Sequence, residues 1–136
     1  MSVIKQAAVI GGGVIGGGWA ARFVLNGIDV KVFDPHPKAE RRLNETFANA
    51  ERAWSKLTLA PLGKRGTIEF TNSIAEAVTD AGFIQESTPE DETLKRRILK
   101  EIDEAAPTDT PIGSSTSGLL PSKLQSDMAQ PERFMA

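Results

Sequence analysis

Near the start of the chain lies the segment Ala7-Ala8-Val9-Ile10-Gly11-Gly12-Gly13-Val14-Ile15-Gly16, which is the strongest indication of the fold. Its first four residues form a short apolar run that stops at a glycine cluster, which is typical of a buried strand. From Ile15 onward, large apolar residues recur every four positions, at Trp19 and Phe23, which is the spacing of a helix. The motif G-x-G-x-x-G in this stretch therefore lies at a predicted strand-to-helix turn.

Each glycine of the motif has a physical role in binding a dinucleotide. Gly11 allows the tight turn, Gly13 lets the backbone approach a pyrophosphate, and Gly16 lets helix and strand pack closely. The amides and the dipole at the helix N-terminus would stabilise the phosphate charge. The alternative is a glycine-rich turn that binds no ligand. We predict that a dinucleotide contacts the whole loop, which comprises Gly11, Gly12, Gly13, Val14, Ile15 and Gly16.

An acid follows the second predicted strand, 18 residues after Gly16. Asp34 at this position would accept hydrogen bonds from the hydroxyls of the adenosine ribose. A carboxylate there repels a 2′-phosphate, so the sequence predicts NAD rather than NADP as cofactor. The alternative is that Asp34 only forms a turn with Pro35.

Strands and helices alternate along the rest of the chain. This order favours a parallel sheet covered on both faces, and right-handed crossovers make it a doubly wound, Rossmann-type α/β fold. We expect residues 1–136 to form one NAD-binding domain. Residues 133–136 look like the opening of a sixth strand, so we expect the sequence to be a fragment that ends at the start of that strand. After the first strand, the predicted strands are residues 30–33, 67–70, 83–85 and 111–115.

The composition fits one compact domain and narrows the possible functions. The chain has 136 residues, of which 40% are hydrophobic and 25% charged. Its net charge of −2 argues against an electrostatic nucleic-acid binder. The chain has no cysteine and a single histidine, His36, which excludes thiolate and multi-histidine metal centres. Without a signal peptide or an apolar run of roughly 18 residues, we expect a cytoplasmic protein with no membrane or nucleic-acid partner.

Three stretches resemble the L-3-hydroxyacyl-CoA dehydrogenase family: residues 11–34, 85–90 and 114–119. Ser115 stands where the acyl-CoA enzymes of the family carry an asparagine. Residues 115–124 look most like the branch that acts on free hydroxy acids, which includes the L-carnitine dehydrogenases and the lambda-crystallin/L-gulonate dehydrogenase group. The departure at Ser115 agrees with this branch. Residues 27–53 look closest to the L-carnitine dehydrogenases.

The resemblance implies that a small-molecule substrate, L-carnitine or a related hydroxy acid, is oxidised with hydride transfer to NAD. By position, Ser117 matches the active-site serine that hydrogen-bonds the reacting oxygen. Glu90 matches a glutamate beside the nicotinamide, and Lys95 matches a nearby lysine that contacts the cofactor. Ser87, in the second of the three stretches, is predicted to bind the cofactor as well. The residues alone leave blander alternatives. Ser117 could be a turn hydroxyl, Glu90 a first-turn carboxylate of a helix capped by Thr88, and Lys95 part of a solvated helix face.

The family resemblance also implies parts that this chain does not contain. A catalytic histidine would follow soon after residue 136, and a helical second domain would complete the substrate pocket and form a homodimer in the full-length protein. We therefore expect the chain to bind NAD without catalysing the oxidation of the substrate. The open alternatives are a 3-hydroxyacyl-CoA or L-gulonate dehydrogenase-like enzyme, and a non-catalytic NAD-binding or crystallin-like structural module.

Overall fold

The computed structural model describes residues 3–57 and 63–136. Within these residues, six strands form one parallel sheet in the order β3-β2-β1-β4-β5-β6. This confirms the predicted doubly wound sheet, including its sixth strand. The strands are β1 (Gln6–Ile10), β2 (Asp29–Phe33), β3 (Ile68–Phe70), β4 (Phe83–Glu86), β5 (Ile112–Ser114) and β6 (Phe134–Met135).

The helices cover both faces of the sheet. They are α1 (Val14–Leu25), α2 (Ala39–Leu57), α3 (Ile74–Val78), α4 (Glu92–Ala105) and α5 (Pro121–Leu124). Because successive strand residues point to opposite faces, Ala7 and Val9 pack in a cluster with residues of α1 and α2, while Ala8 and Ile10 pack with residues of α3, α4 and α5. None of the helices in residues 3–57 and 63–136 combines the length and the apolar character that a membrane span requires.

Helix α1 forms as predicted, but the side that it buries most deeply is not the row of large apolar residues, starting at Ile15, from which the helix is predicted. Its core contacts are made by small residues such as Ala20 and by Val24, whereas Ile15 is 59% exposed. Gly17 is also buried, on the side of α1 that faces Thr46 of α2. Ile15 lies away from this side, at the edge of the sheet where the glycine loop lies.

A buried ion pair holds β6 at its place in the sheet. The Arg133 guanidinium donates to Asp103 Oδ1 of α4 at 2.8 and 3.0 Å, and both side chains are almost fully buried. Arg133 also donates to the carbonyls of Asp103 and Pro107. The turn before β6 is therefore anchored to α4 by hydrogen bonds as well as by sheet pairing.

Candidate functional site

The candidate residues lie at the carboxyl edge of the sheet, where β1 and β4 are neighbours. Ile10 at the end of β1 is paired with Glu86, and Glu86 is paired with Ser114 at the end of β5. The chain leaves these strands at a common level, so the loops that follow them meet. Crossovers run in opposite directions from β1 and β4, and the crevice at such a switch point is where doubly wound sheets bind ligands.

The glycine loop is sterically restricted to glycine at two of its positions. Gly11 has a φ of +97°, and a Cβ on it would lie 2.5 Å from the Ser87 carbonyl oxygen. A Cβ on Gly16 would overlap the Gly11 carbonyl oxygen. By contrast, the Cβ position of Gly13 has no atom within 4 Å among the described residues. The loop therefore packs against Ser87, just after β4, on one side and opens into the crevice on the other.

Helix α1 begins at this open side without a side-chain cap. Gly13 is its N-cap residue, no side chain in the described part of the chain caps it, and its first turn has no acidic residue. The first amides of a helix have no partner within the helix and carry the positive end of its dipole. Amides that point into an open crevice beside obligatory glycines are what a dinucleotide pyrophosphate requires, so the loop fits this group.

Asp34 ties the glycine loop to the end of β2. Its Oδ2 accepts a hydrogen bond from the Gly12 amide at 2.7 Å, and its Oδ1 accepts one from the His36 amide at 2.8 Å. A cavity of about 730 Å³ opens beside it. Its apolar wall includes Phe33 and Ile98, and Arg42 and Arg97 also line it. No motif marks Arg42, Arg97 or Ile98, because α2 and α4 bring them there only in the folded chain.

The loop after β4 differs from the predicted one at its helix boundary. The sequence predicts Thr88 as the cap of α4, but the cap is Asp91, whose Oδ1 accepts a hydrogen bond from the Leu94 amide at 2.7 Å. Thr88 is unavailable because its amide and its hydroxyl donate to Glu86 Oε2 at 2.7 and 2.9 Å. Helix α4 therefore starts later, and the alternative that Glu90 is a first-turn carboxylate is wrong.

Glu90 instead reaches across to the loop after β5. Its Oε2 accepts a hydrogen bond from the Ser117 amide at 2.9 Å, and its Oε1 accepts one from the Thr116 hydroxyl at 2.6 Å. The Ser117 hydroxyl lies 3.4 Å from the same Oε2. The Ser117 amide, followed by the Thr116 hydroxyl, lowers the pKa of Glu90 from 4.5 to about 2. The structure thus brings two predicted site residues together and keeps Glu90 anionic at neutral pH.

Lys95 lies beneath this contact rather than on a solvated helix face. It is 1% exposed, and its Nζ donates to Glu86 Oε2 at 2.8 Å, to Glu86 Oε1 at 3.1 Å and to the Thr88 carbonyl at 2.9 Å. Glu90 Oε1 is 3.9 Å away. An ammonium group has three protons, and these three contacts match them in number. The contacts favour a role for Lys95 in holding the loop, while the predicted cofactor contact stays a prediction.

Glu86 is the residue that sequence reasoning missed. It is fully buried and also accepts a hydrogen bond from the Ser114 hydroxyl at 2.6 Å, so it joins β4, β5, α4 and the loop after β4. A buried carboxylate is tolerated only when it is paired and hydrogen-bonded. The one signal in the sequence is an acid at the end of an apolar strand, with a lysine in the next helix.

A second cavity of about 240 Å³ gathers the predicted residues of the other end of the site. Ile15 borders it on the α1 side, and Ser117 and Glu90 border it on the opposite side. Thr88 lines both cavities, so they are neighbours along the carboxyl edge. Asp34 and His36 line the larger cavity only. The remaining residues of the smaller cavity are Ser87, Lys95 and Ser115.

Comparison with known proteins agrees with this geometry. Residues 6–136 match the family described as 3-hydroxyacyl-CoA dehydrogenase, NAD binding domain. The chain is 62% identical over 134 residues to an L-carnitine dehydrogenase/betainyl-CoA thioesterase of a Rhizobium species, covering 98% of this chain and 27% of the relative. It is 52% identical to an L-carnitine dehydrogenase of Mesorhizobium japonicum, covering 99% of this chain and 37% of the relative.

Solved structures show the same fold. An NAD+-dependent dismutase, 5-formyl-3-hydroxy-2-methylpyridine 4-carboxylic acid 5-dehydrogenase, superposes with a TM-score of 0.86 at 35% identity, covering 97% of this chain and 43% of that one. A diketoreductase superposes with a TM-score of 0.84 at 27% identity, covering 98% of this chain and 49% of that one. With the sheet order, the glycine loop and a family match from β1 to the end, the chain belongs to the NAD-binding domain family of the 3-hydroxyacyl-CoA dehydrogenases.

Proposed function

We propose that this chain is the NAD-binding domain of an L-carnitine dehydrogenase, which oxidises the 3-hydroxyl of L-carnitine to 3-dehydrocarnitine. The observation that carries the proposal is the hydrogen-bonded pair of Glu90 and Ser117, beside the crevice of the glycine loop. A module that only senses NAD needs no such serine at the nicotinamide end. The choice of substrate is supported by relatives named L-carnitine dehydrogenase that are 52% and 48% identical.

The adenosine half of the cofactor would occupy the larger cavity. Each oxygen of the Asp34 carboxylate accepts one backbone amide, which leaves lone pairs on both for the ribose hydroxyls. The apolar wall of the cavity suits an adenine ring, and the amides of the glycine loop would bind the pyrophosphate. This placement directs the nicotinamide half toward the smaller cavity.

Bound NAD would supply the hydride acceptor, and the residues of the chain would position the alcohol. The Ser117 hydroxyl would donate to the reacting oxygen, while the Glu90 carboxylate holds the backbone of Ser117 in place. Lys95 and Glu86 would act through the loop, because their charges are paired beneath it. Ser87, on the wall of the same cavity, would contact the cofactor directly.

Oxidation of an alcohol also needs a base for the hydroxyl proton. The chain has one histidine, and His36 lies beside Asp34 in the cavity assigned to adenosine. The chain spans 27–43% of the length of the curated relatives it matches. We therefore expect the chain alone to bind NAD without oxidising L-carnitine. The base, a helical domain and a homodimer interface would belong to the full-length protein.

Calorimetric titration of the chain with NAD and with NADP tests the proposal. We expect NAD to bind with a dissociation constant between micromolar and millimolar, and NADP to bind much more weakly because of Asp34. If neither bound, the cofactor assignment would be wrong. For the substrate, full-length protein is assayed with L-carnitine, L-gulonate and 3-hydroxybutyryl-CoA, and a preference for either of the last two would refute the carnitine assignment.

A further inference from the structure

Three polar side chains form a continuous hydrogen-bond chain from the inside of the sheet to the smaller cavity. Gln85 of β4 is 3% exposed, and its Nε2 donates to Ser115 Oγ at 2.7 Å. Ser115 Oγ lies 2.9 Å from Ser87 Oγ. Both serines line the smaller cavity, whereas Gln85 lies behind them. No step of the hydride transfer described above uses Gln85 or Ser115.

The surroundings of Gln85 determine which end of its amide faces Ser115. Its Nε2 lies 3.4 Å from the carbonyl oxygen of Glu86, which can only accept a hydrogen bond. The amide oxygen would be repelled at that position, so the amino group belongs there. On the other side, a Cβ on Gly113 would lie 2.9 Å from Gln85 Oε1, so the glycine in β5 makes room for the amide. Gln85 is therefore a donor toward Ser115.

Of the two hydroxyl protons of Ser115 and Ser87, one remains as a hydrogen-bond donor to the cavity. The amino group of Gln85 donates to the Ser115 hydroxyl oxygen. Neither serine hydroxyl can therefore donate to that amino group. One hydroxyl proton joins Ser115 to Ser87. Among the hydrogen bonds of the described residues, neither serine hydroxyl donates to any other acceptor. The second hydroxyl proton is therefore directed at the smaller cavity. A ligand atom that accepts a hydrogen bond is favoured at this wall.

The position of Ser87 identifies the part of the ligand. The Ser87 carbonyl packs against Gly11, the first glycine of the loop, and Ser117 lies in the same cavity. An acceptor between them lies beyond the pyrophosphate and before the reacting carbon. Resting on the proposed function, we propose that Ser87 donates to an oxygen of the nicotinamide nucleoside, either a ribose hydroxyl or the carboxamide. In this proposal the Ser115 hydroxyl, which accepts from Gln85, donates to Ser87, and Ser87 keeps its own proton for the ligand. Ser115 and Gln85 are then positioning residues.

Calorimetry with NAD, ADP-ribose and ADP tests this assignment in the 136-residue chain. ADP ends at the pyrophosphate, so it measures the adenosine half alone. We expect Ser87→Ala to weaken NAD binding about 3- to 10-fold, as for the loss of one neutral hydrogen bond, with ADP binding unchanged. Ser115→Ala and Gln85→Met should weaken NAD binding by a similar or smaller factor. A matched control is Ser55→Ala, on the exposed part of α2, which should change neither ligand.

Two comparisons separate positioning from a merely structural role. Ser115→Ala should add little to the loss already caused by Ser87→Ala, because it acts through Ser87, and Ser115→Thr should restore binding by restoring the hydroxyl. If Ser87→Ala weakens the binding of ADP-ribose as much as that of NAD, the acceptor is on the ribose. If it weakens only the binding of NAD, the acceptor is the carboxamide. The assignment would be overturned if Ser87→Ala left NAD binding unchanged or weakened ADP binding as much as NAD binding. It would also be overturned if the losses of NAD affinity caused by Ser87→Ala and Ser115→Ala were additive. If the unaltered chain bound neither NAD nor ADP, the proposed function itself would fail.

Discussion

The Glu90 carboxylate accepts a 2.9 Å hydrogen bond from the backbone amide of Ser117, a residue 27 positions later in the chain. The contact joins the loop after β4 to the loop after β5 at the edge of the sheet that holds the candidate site. A carboxylate that accepts hydrogen bonds from a backbone amide and a hydroxyl is stabilised as the anion. The pairing therefore links the shape of the site to the charge of one side chain.

This contact makes acid stability depend on Glu90. The pKa of Glu90 is about 2 in the folded chain against 4.5 ordinarily, so between these pH values the unfolded chain binds more protons. The stabilisation is complete above pH 4.5 and is lost as the pH falls toward about 2. We expect the free energy of unfolding of the unaltered chain to exceed that of Glu90→Gln most above pH 4.5, with the gap closing in acid. Urea unfolding across this range measures it, and a gap independent of pH would contradict the low pKa.

Asp34 should control both affinity for NAD and discrimination against NADP. We expect Asp34→Ala to weaken NAD binding about 10- to 100-fold, from the loss of roughly 1.5–3 kcal/mol of hydrogen bonding to a charged group. NADP binding should not weaken, because the repulsion of its 2′-phosphate is removed as well. Calorimetry gives both constants, and Asp109→Ala, at an exposed site before β5, is the matched control. Equal weakening of NAD and NADP would indicate a damaged loop rather than a lost ribose contact.

Two glycines of α1 provide a matched pair for the glycine loop. Gly16→Ala places a Cβ onto the Gly11 carbonyl oxygen, so we expect a loss of about 1–3 kcal/mol in stability and no detectable NAD binding. Gly18 lies on the same helix with no atom within 4 Å of its Cβ position among the described residues. Gly18→Ala should therefore keep NAD binding and gain up to about 1 kcal/mol from helix propensity. Urea unfolding and calorimetry measure both variants, and equal behaviour would refute the steric argument.

The ion pair of Asp103 and Arg133 should be important for stability because both groups are buried. Asp103→Ala leaves the Arg133 charge without its partner, and we expect it to lower the free energy of unfolding by about 3–5 kcal/mol. The neighbouring Glu104 makes an exposed ion pair with Lys100. Glu104→Gln should change stability by no more than about 0.5 kcal/mol. Chemical denaturation of the two variants provides the comparison, and similar losses would show that burial does not decide the effect.

The elements of the fold could be predicted because each depends on near neighbours in the chain. The apolar run at residues 7–10, the glycine motif after it and the helical spacing beyond identify one strand, one turn and one helix. The Ser73 side chain caps α3 by accepting a hydrogen bond from the Glu76 amide at 3.1 Å, and this contact is local in the same way. The start of α4 differs from the predicted one, because Thr88 has a competing partner in Glu86 that spacing alone does not reveal.

The parallel sheet and the glycine loop therefore follow from the amino-acid sequence alone, because strand and helix periodicity and the steric need for glycine are properties of short segments. The pairing of the side chains at the carboxyl edge depends on how the folded chain packs. Glu90 pairs with Ser117 and Gln85 pairs with Ser115 because β4 and β5 end at one level. Glu86 pairs with Lys95 because α4 packs beside the end of β4. Burial then requires these polar groups to find partners, and the partners are supplied by whichever loop packs beside them.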